Sequence, residues 1–326
     1  MDAPADDQST ATRPERFVMS ARRYRTVTVF ALVMLALIVV TGAAVRLTES
    51  GLGCEDWPNC SEGQLVQFGS PNQSIEQINR LITGLVSVSV IAAVLGSLRR
   101  RPYRRDLVWW SVSLVVGVLG QIVLGGITVL VDLHPAAVAA HFILSQVLVA
   151  CSVTLVWRAR QEPGPRRVRV GRPELMLSRV ARAGATLLMF TGPVVTGSGP
   201  HAGDARAERF GFFIPDVVRV HSINMWIFLA VVVVLLVRLA RQGAAEDIQR
   251  RGRALLVCIV AQGAIGYTQY ELGIPEWLVL LHIAGATTVV GLVVWFHLGL
   301  SAPTSADGVG TSAAASDEPE QLGAAT

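Results

Sequence analysis

Polar and apolar positions along this chain fall into long blocks, not the short alternations of a soluble domain. Apolar runs occupy roughly residues 25–46, 76–98, 107–131, 137–157, 176–198, 218–238, 254–271 and 275–297, and runs of about 20 residues are what helices need to cross a bilayer. Short stretches rich in Arg, Gly and Pro separate them. The pattern predicts an all-α polytopic membrane protein with eight transmembrane helices and no large soluble domain. Residues 1–24 are polar and lack the apolar core and small-residue cleavage site of a signal peptide, so the first run is expected to be a retained helix. Residues 298–326 are Ala, Gly and Ser with Asp307, Asp317, Glu318 and Glu320, a composition expected to be disordered.

Composition agrees. The chain is 52% apolar and 16% charged, against about 25% charged in soluble domains. It has no lysine, so arginine carries all the positive charge. Arginines cluster before the first run (Arg13, Arg16, Arg22, Arg23, Arg25) and between the second and third (Arg99, Arg100, Arg101, Arg104, Arg105). They cluster again between the fourth and fifth (Arg158, Arg160, Arg166, Arg167, Arg169, Arg172) and between the sixth and seventh (Arg238, Arg241, Arg250, Arg251, Arg253). The alternate loops are poor in arginine, apart from Arg206 and Arg209. By the positive-inside rule both termini are expected in the cytoplasm. The net charge of +4 then reports topology, and no nucleic-acid partner is needed to explain it.

The chain reads as a duplication. Gln121 and His141 stand twenty residues apart, and so do Gln262 and His282. A shift of 141 residues maps one pair onto the other and Gly125 onto Gly266. Val39-Val40-Thr41-Gly42 recurs as Val194-Val195-Thr196-Gly197. Two four-helix bundles are therefore expected, at 25–157 and 176–297, joined by a linker at 158–175. Four spans return the chain to its starting side, so the repeat is parallel about an axis along the membrane normal, unlike inverted-repeat transporters.

His141, His221 and His282 all enter their runs from the outer face, at similar depth. The position matching His221 in the first half is near Asn79. Two histidines on facing helices can clamp a haem iron inside a bundle. The plainer reading makes each a satisfied core residue, but three at one depth, two of them in duplicated positions, favour ligation. Zinc fits less well, because no carboxylate or cysteine is spaced to complete a four-ligand set. His134, His201 and His297 lie in loops or at the opposite end.

Glu76 opens the second run and shares a helix face with Asn79. It reads equally as a helix-terminal carboxylate favoured by the dipole or as a catalytic group beside a ligand. Arg80 pairs only weakly with Glu76 by spacing, and suits anchoring a carboxylate as well. Cys54 and Cys60 lie in the loop after the first run, on the oxidising side. Their spacing favours a structural disulfide over a redox-active dithiol. Cys151 and Cys258 lie within apolar runs and read as small apolar residues.

The stretch from Thr41 through Arg46 to Cys54, continuing to Trp57-Pro58 and Cys60, resembles the signature of the haem A synthase family. Glu76 with Asn79-Arg80, the three histidines, and Val195 through Asp204 resemble it too. The resemblance spans roughly residues 25–297. It implies two pseudosymmetric four-helix bundles in a bacterial plasma membrane. It implies oxidation of the C8 methyl of haem O to a formyl group, through a hydroxymethyl intermediate, giving haem A for terminal oxidases. It implies a haem b held by His221 and His282, and a substrate haem in the first bundle near His141, Asn79 and Arg80 with Glu76 as catalytic carboxylate. A disulfide between Cys54 and Cys60 is linked to activity. Haem O synthase and an electron donor are the implied partners, with homo-oligomers a further option.

Two departures stand out. Many members carry histidine where this chain has Asn79, so only His141 is left to ligate in the first half. Members with a second outer cysteine pair exist, and residues 199–217 contain none here. Two competing classes remain. A membrane electron-transfer cytochrome predicts haem that stays chemically unchanged, and a transporter predicts no haem.

Overall fold

The computed structural model describes residues 18–61 and 63–304. Most of the expected N-terminal segment (1–17) and most of the expected disordered tail (305–326) lie outside the described residues. Eight long helices follow one another: α1 (Ala21–Leu47), α2 (Pro71–Arg99), α3 (Arg105–Leu130), α4 (Pro135–Arg160), α5 (Arg172–Ser198), α6 (Ile214–Arg241), α7 (Glu246–Glu271) and α8 (Glu276–Gly299). Most run about a turn past the apolar blocks, because helix ends are set by caps and not by hydropathy. Ser20 and Ser70 accept from the N–H groups of Arg23 and Gln73 to start α1 and α2. Proline sits in the first turn of α2, α4, α5 and α6, where its missing N–H costs nothing.

Six helices (α1, α2, α3, α4, α6 and α8) are long and apolar enough to cross a membrane, which makes this a polytopic helical membrane protein. Helices α5 and α7 fall short in composition. The first carries Glu174, Arg179 and Arg182, and the second Glu246, Asp247, Arg250, Arg251 and Arg253. In both, the charges gather in the first turns.

The helices build two hydrophobic cores. Tyr24, Leu35, Val90, Leu107, Leu114 and Leu155 form one from α1–α4. Leu188, Phe228, Leu235, Leu255, Ile259 and Val293 form the other from α5–α8. Between them α4 packs on α8, α1 on α8, and α4 on α5. At this seam Gln146 donates to the Thr287 hydroxyl at 3.1 Å, with both residues buried. These two residues are 141 positions apart, the same shift that relates Gln121 to Gln262.

The repeat extends to turns that sequence reading did not single out. Asp132 and Leu133 after α3 have φ of 49° and 58°; Gly273 and Ile274 after α7 have 78° and 62°. Left-handed backbone is uncommon for non-glycine residues and strained for a β-branched one. Matched hydrogen bonds hold both turns. The Leu133 N–H donates to the Thr128 carbonyl at 2.8 Å, and the Ile274 N–H to the Gln269 carbonyl at 2.7 Å. The only residue in either turn that announces this geometry is Gly273.

All-α is nearly the whole description, but two short strand pairs tie helix ends at the arginine-rich side. Strand β1 (Met19–Ser20) runs parallel to β2 (Arg100–Arg101), and β3 (Arg166–Val168) antiparallel to β4 (Ser301–Pro303). The expected linker is thus partly structured. Arg169 grips Asp247 at 2.8 Å, and fully buried Glu174 accepts from Arg238 at 2.7 Å and Gln242 at 2.9 Å. Arg251 lies over the rings of Trp157 and Trp295, one from each half.

At the opposite end the α1–α2 and α5–α6 loops interlock. The Gly51 N–H donates to the Gly203 carbonyl at 2.9 Å, and Leu52, Val129, Leu133, Ala202 and Ala207 form a small third core. Arg206 reaches Glu55 at 3.2 Å and Asp204 at 3.1 Å. Burial alone would raise the Asp204 carboxyl, but hydrogen bonds from the Arg206 side chain and backbone N–H hold it below the ordinary carboxylate value. A depressed carboxylate stabilises the fold fully above its unfolded pKa of about 4 and loses that contribution as pH falls through its folded value. Asp204→Asn should therefore lower the thermal midpoint in detergent at neutral pH. The gap from wild type should narrow as the pH is taken below about 4.

Candidate functional site

The Cys54–Cys60 loop folds back over the start of α2. The two cysteines are joined by a disulfide, and both are fully buried. Beneath the loop lies Glu76, 6% exposed. Its Oε2 accepts from the Cys54 backbone N–H at 2.7 Å. Its Oε1 accepts from Arg80 Nη2 at 2.7 Å and Nε at 3.0 Å. The spacing of four residues, read from sequence as a weak pairing, is here a two-pronged ion pair. The remaining Arg80 donors go to the carbonyls of Asp56 at 3.2 Å and Asn59 at 3.0 Å. Arg80 is therefore committed to the loop and the carboxylate together. Carboxylate and guanidinium so far from bulk water are tolerable only when each is paired and hydrogen-bonded.

Trp57 carries the loop onto α3. A β-carbon on Gly126 would stand 2.6 Å from the Trp57 ring, so only glycine admits that contact. The neighbouring Gly125 faces His141, whose Cε1 would lie 3.2 Å from an added β-carbon. Loop, carboxylate and His141 thus gather around the outer ends of α2, α3 and α4.

The imidazole cradle of His141 is repeated at His282. Gln121 Nε2 donates to the His141 backbone carbonyl at 3.0 Å; Gln262 Nε2 donates to that of His282 at 2.8 Å. An added β-carbon on Gly266 would meet His282 Cε1 at 3.2 Å, the same clearance as at Gly125. In both cradles the Nδ1 of the histidine and the Oε1 of the glutamine are buried without a hydrogen-bond partner among the described residues. Buried polar atoms are rarely left unpaired, and such orphans concentrate at functional sites.

On the facing helix the halves differ. The Thr191 hydroxyl lies 2.8 Å from His221 Nδ1 and points its own donor towards the Leu188 carbonyl at 3.5 Å. Thr191 then accepts from Nδ1–H, which leaves Nε2 without its proton and free to meet a ligand. In the first half the Thr41 hydroxyl stands in the same place with its role reversed: it donates to Asn79 Oδ1 at 2.8 Å, with the Ile38 carbonyl 3.4 Å away. Asn79 therefore stands where His221 stands, and Thr41 corresponds to Thr191. The sequence repeat that aligned Thr41 with Thr196 is five residues out of register. Thr41-Gly42 recurs as Thr191-Gly192, with Gly192 facing His221 Cε1.

The three other histidines stay apart from this set. His134 caps α4, His201 bonds the Ile274 carbonyl at 2.7 Å, and His297 pairs with Ser178 at the arginine-rich end. Among the described residues no group of three or more His, Cys, Asp or Glu side chains is placed to hold a bare metal ion. Cys151 and Cys258 are free and half-buried in α4 and α7.

The model of a family described as cytochrome oxidase assembly protein matches residues 25–74 and 66–203, more than half of the chain. The chain belongs to this family. The match takes in the cysteine loop, Glu76, Asn79, Arg80 and His141. His221 and His282 lie beyond it. Relatives extend further. A protein of Methylobacterium nodulans named Heme A synthase is 29% identical over 314 residues, 78% of this chain and 86% of that one. One of the same name from another Methylobacterium is 27% identical over 351 residues, 90% and 94% of the two chains. A third, from Lysinibacillus sphaericus, is 30% identical over 128 residues, 39% of this chain, so the alignment spans only 42% of that relative.

The Arg80 contacts predict a local outcome. Arg80→Ala removes the bonds from α2 to the loop carbonyls and leaves Glu76 with the Cys54 amide alone. Hydrogen bonds to charged groups contribute about 1.5–3 kcal/mol each. Amide hydrogen exchange over residues 54–60 should accelerate by about tenfold or more, while exchange in α5–α8 stays unchanged.

Proposed function

We propose that this protein is a haem A synthase, which oxidises the C8 methyl of haem O to a formyl group through a hydroxymethyl intermediate. The observation that carries the reading is the repeated imidazole cradle, found in a chain of this family with relatives of that name aligned over 78% and 90% of it. Eight membrane spans in two pseudosymmetric bundles follow from it. Helices α5 and α7 complete the count because, Glu271 at the far end of α7 apart, their charges lie towards the arginine-rich end. The arginine-rich end is then cytoplasmic in a bacterial plasma membrane, and the cysteine loop faces outward.

The α5–α8 half suits a haem b. Thr191 fixes the tautomer of His221, Gly266 and Gly192 leave space beside the rings, and the His282 ring has no protein partner to give up. His221 and His282 would hold its iron, and when bound it would supply one-electron transfer.

The α1–α4 half takes the substrate. His141 is the one imidazole there and is assigned to the iron of haem O. Asn79 faces it from the position of His221. Its Oδ1 is engaged by Thr41, so its free group is an amide NH₂, a donor and not a ligand. One axial side of the substrate is thereby left to small molecules. Each stage needs an oxidant of the dioxygen class, one oxygen atom going to the methyl carbon and the other leaving as water with two electrons from the donor and two protons; Glu76 is the group assigned beside that carbon, where it would carry protons. Arg80 and the Cys54 amide hold that carboxylate in one place, so its orientation is set before substrate arrives. Trp57 and the disulfide loop exclude bulk water above it. Haem O synthase and an electron donor are the partners this chemistry requires.

Expression in cells that supply haem O tests the reading. Wild type should purify with haem b and with haem O, its hydroxymethyl form or haem A. Glu76→Ala should keep haem b and lose haem A formation, whereas haem A made at the wild-type rate removes Glu76 from the mechanism. Haem b with chemically unchanged substrate haem throughout would point to an electron-transfer cytochrome.

Orientation has its own check. A membrane-impermeant maleimide should label Asp132→Cys in intact cells and Thr304→Cys only after the membrane is opened. The reverse pattern would invert the assignment.

A further inference from the structure

Arg46 is the one residue of the α1 signature that the proposed chemistry does not use. It lies in the last turn of α1, at the cysteine-loop end. Its stem packs on Gly203, where an added β-carbon would meet Arg46 Cγ at 3.3 Å. Its Nη2 donates to the Thr196 carbonyl at 2.8 Å, a neutral acceptor at the end of α5. Its Nε is buried with no partner. Among the described residues no carboxylate pairs with it. A second guanidinium, that of Arg209, holds the carbonyl of Pro200 at 2.5 Å, so both arginines stand at the end of α5. Arg209 also has no acidic partner among the described residues. Its neighbour Arg206, by contrast, is satisfied by Asp204 and Glu55.

A guanidinium with a buried free N–H and no counter-ion is costly unless an anion completes it. An arginine fork suits a carboxylate best. Both contacts of Arg46 described above are with the second half: Thr196 and Gly203. We propose that Arg46 and Arg209 form an anion site for a propionate carboxylate of the haem held by His221 and His282. The inference rests on the reading that those histidines hold a haem. It adds an anchor contributed by the first half of the chain, so the substrate half helps to hold the cofactor of its neighbour.

The test uses whole protein purified from cells lacking haem O synthase, so that haem b is the only haem supplied. Transfer of haem b to excess apomyoglobin and the haem midpoint potential are measured for wild type, Arg46→Gln, Arg46→Lys and Arg209→Gln. Losing one partner of a buried charge pair should speed haem loss in Arg46→Gln by about tenfold or more. It should also lower the midpoint potential, because less positive charge offsets the electron added on reduction. Arg46→Lys keeps the charge without the fork and should fall between. Arg209→Gln, at an exposed position, should shift both readouts in the same direction by less, and it keeps the test decisive if Arg46→Gln fails to fold.

Wild-type protein without haem b would sink the ligand assignment of His221 and His282. Wild type with haem b and variants unchanged in both readouts would overturn only the anion site. A variant that unfolds at lower temperature but keeps the wild-type potential would make Arg46 a clamp between the halves and nothing more. In cells that do make haem O, loss of haem O with haem b unaffected would assign the arginines to the other half and refute the proposal as stated.

Discussion

Room for an imidazole between two packed helices depends on what is missing beside it. At Gly125 and Gly266 an added β-carbon would press on the histidine ring at 3.2 Å, so the rings of His141 and His282 occupy space that any other residue would contest. The glutamines one helix away then fix the height of each histidine by bonding its backbone carbonyl, and leave the ring itself unengaged. In the bilayer core an unpaired polar group has no water to turn to. The arrangement thus spends its hydrogen bonds on the backbone and leaves Nδ1 of each ring without a partner among the described residues. Helix packing, the left-handed turns after α3 and α7, and the seam between α4 and α8 all serve to hold those two cradles in register.

The large features were legible because they rest on hydropathy and spacing. All eight helices coincide with apolar runs, and the paired Gln121–His141 and Gln262–His282 read directly as equivalent, as the matched contacts now describe them. What was not legible has identifiable causes. Val39 to Gly42 and Val194 to Gly197 match letter for letter, yet the hydroxyl contacts with Asn79 and His221 select Thr191 as the partner of Thr41. Four letters in an apolar helix are easily repeated by chance, whereas a side-chain bond across two helices is not. The bonds from Arg80 to the carbonyls of Asp56 and Asn59 depend on where the loop of residues 48–70 folds, and no local pattern encodes that. The left-handed turn at Asp132 and Leu133 carries no glycine, so its usual marker was absent. The short strands at the arginine-rich end involve two or three residues each, too few to leave a period.

The same scaffold carries two different chemistries. Thr41 and Thr191 offer the same hydroxyl at the same place, but one meets an amide and the other an imidazole. The cysteine loop, Glu76 and Arg80 have no counterpart in the second half, where the matching loop carries Asp204 paired with Arg206. One half is thereby equipped with a fixed carboxylate and a single imidazole, and the other with two imidazoles. The difference arises from a handful of side chains on helices whose backbones follow the same plan.

The hydrogen bond between Gln146 and Thr287 has a consequence for how such a chain arises. Residues related by a two-fold axis touch only where the axis passes. In a dimer of identical halves, whatever stood at this position would face its own copy, and both copies would have to mutate together. Fusing the halves into one gene lifts that restriction. The two positions then diverge into a donor and an acceptor that fit each other, and the joint between ancestral subunits becomes free to specialise.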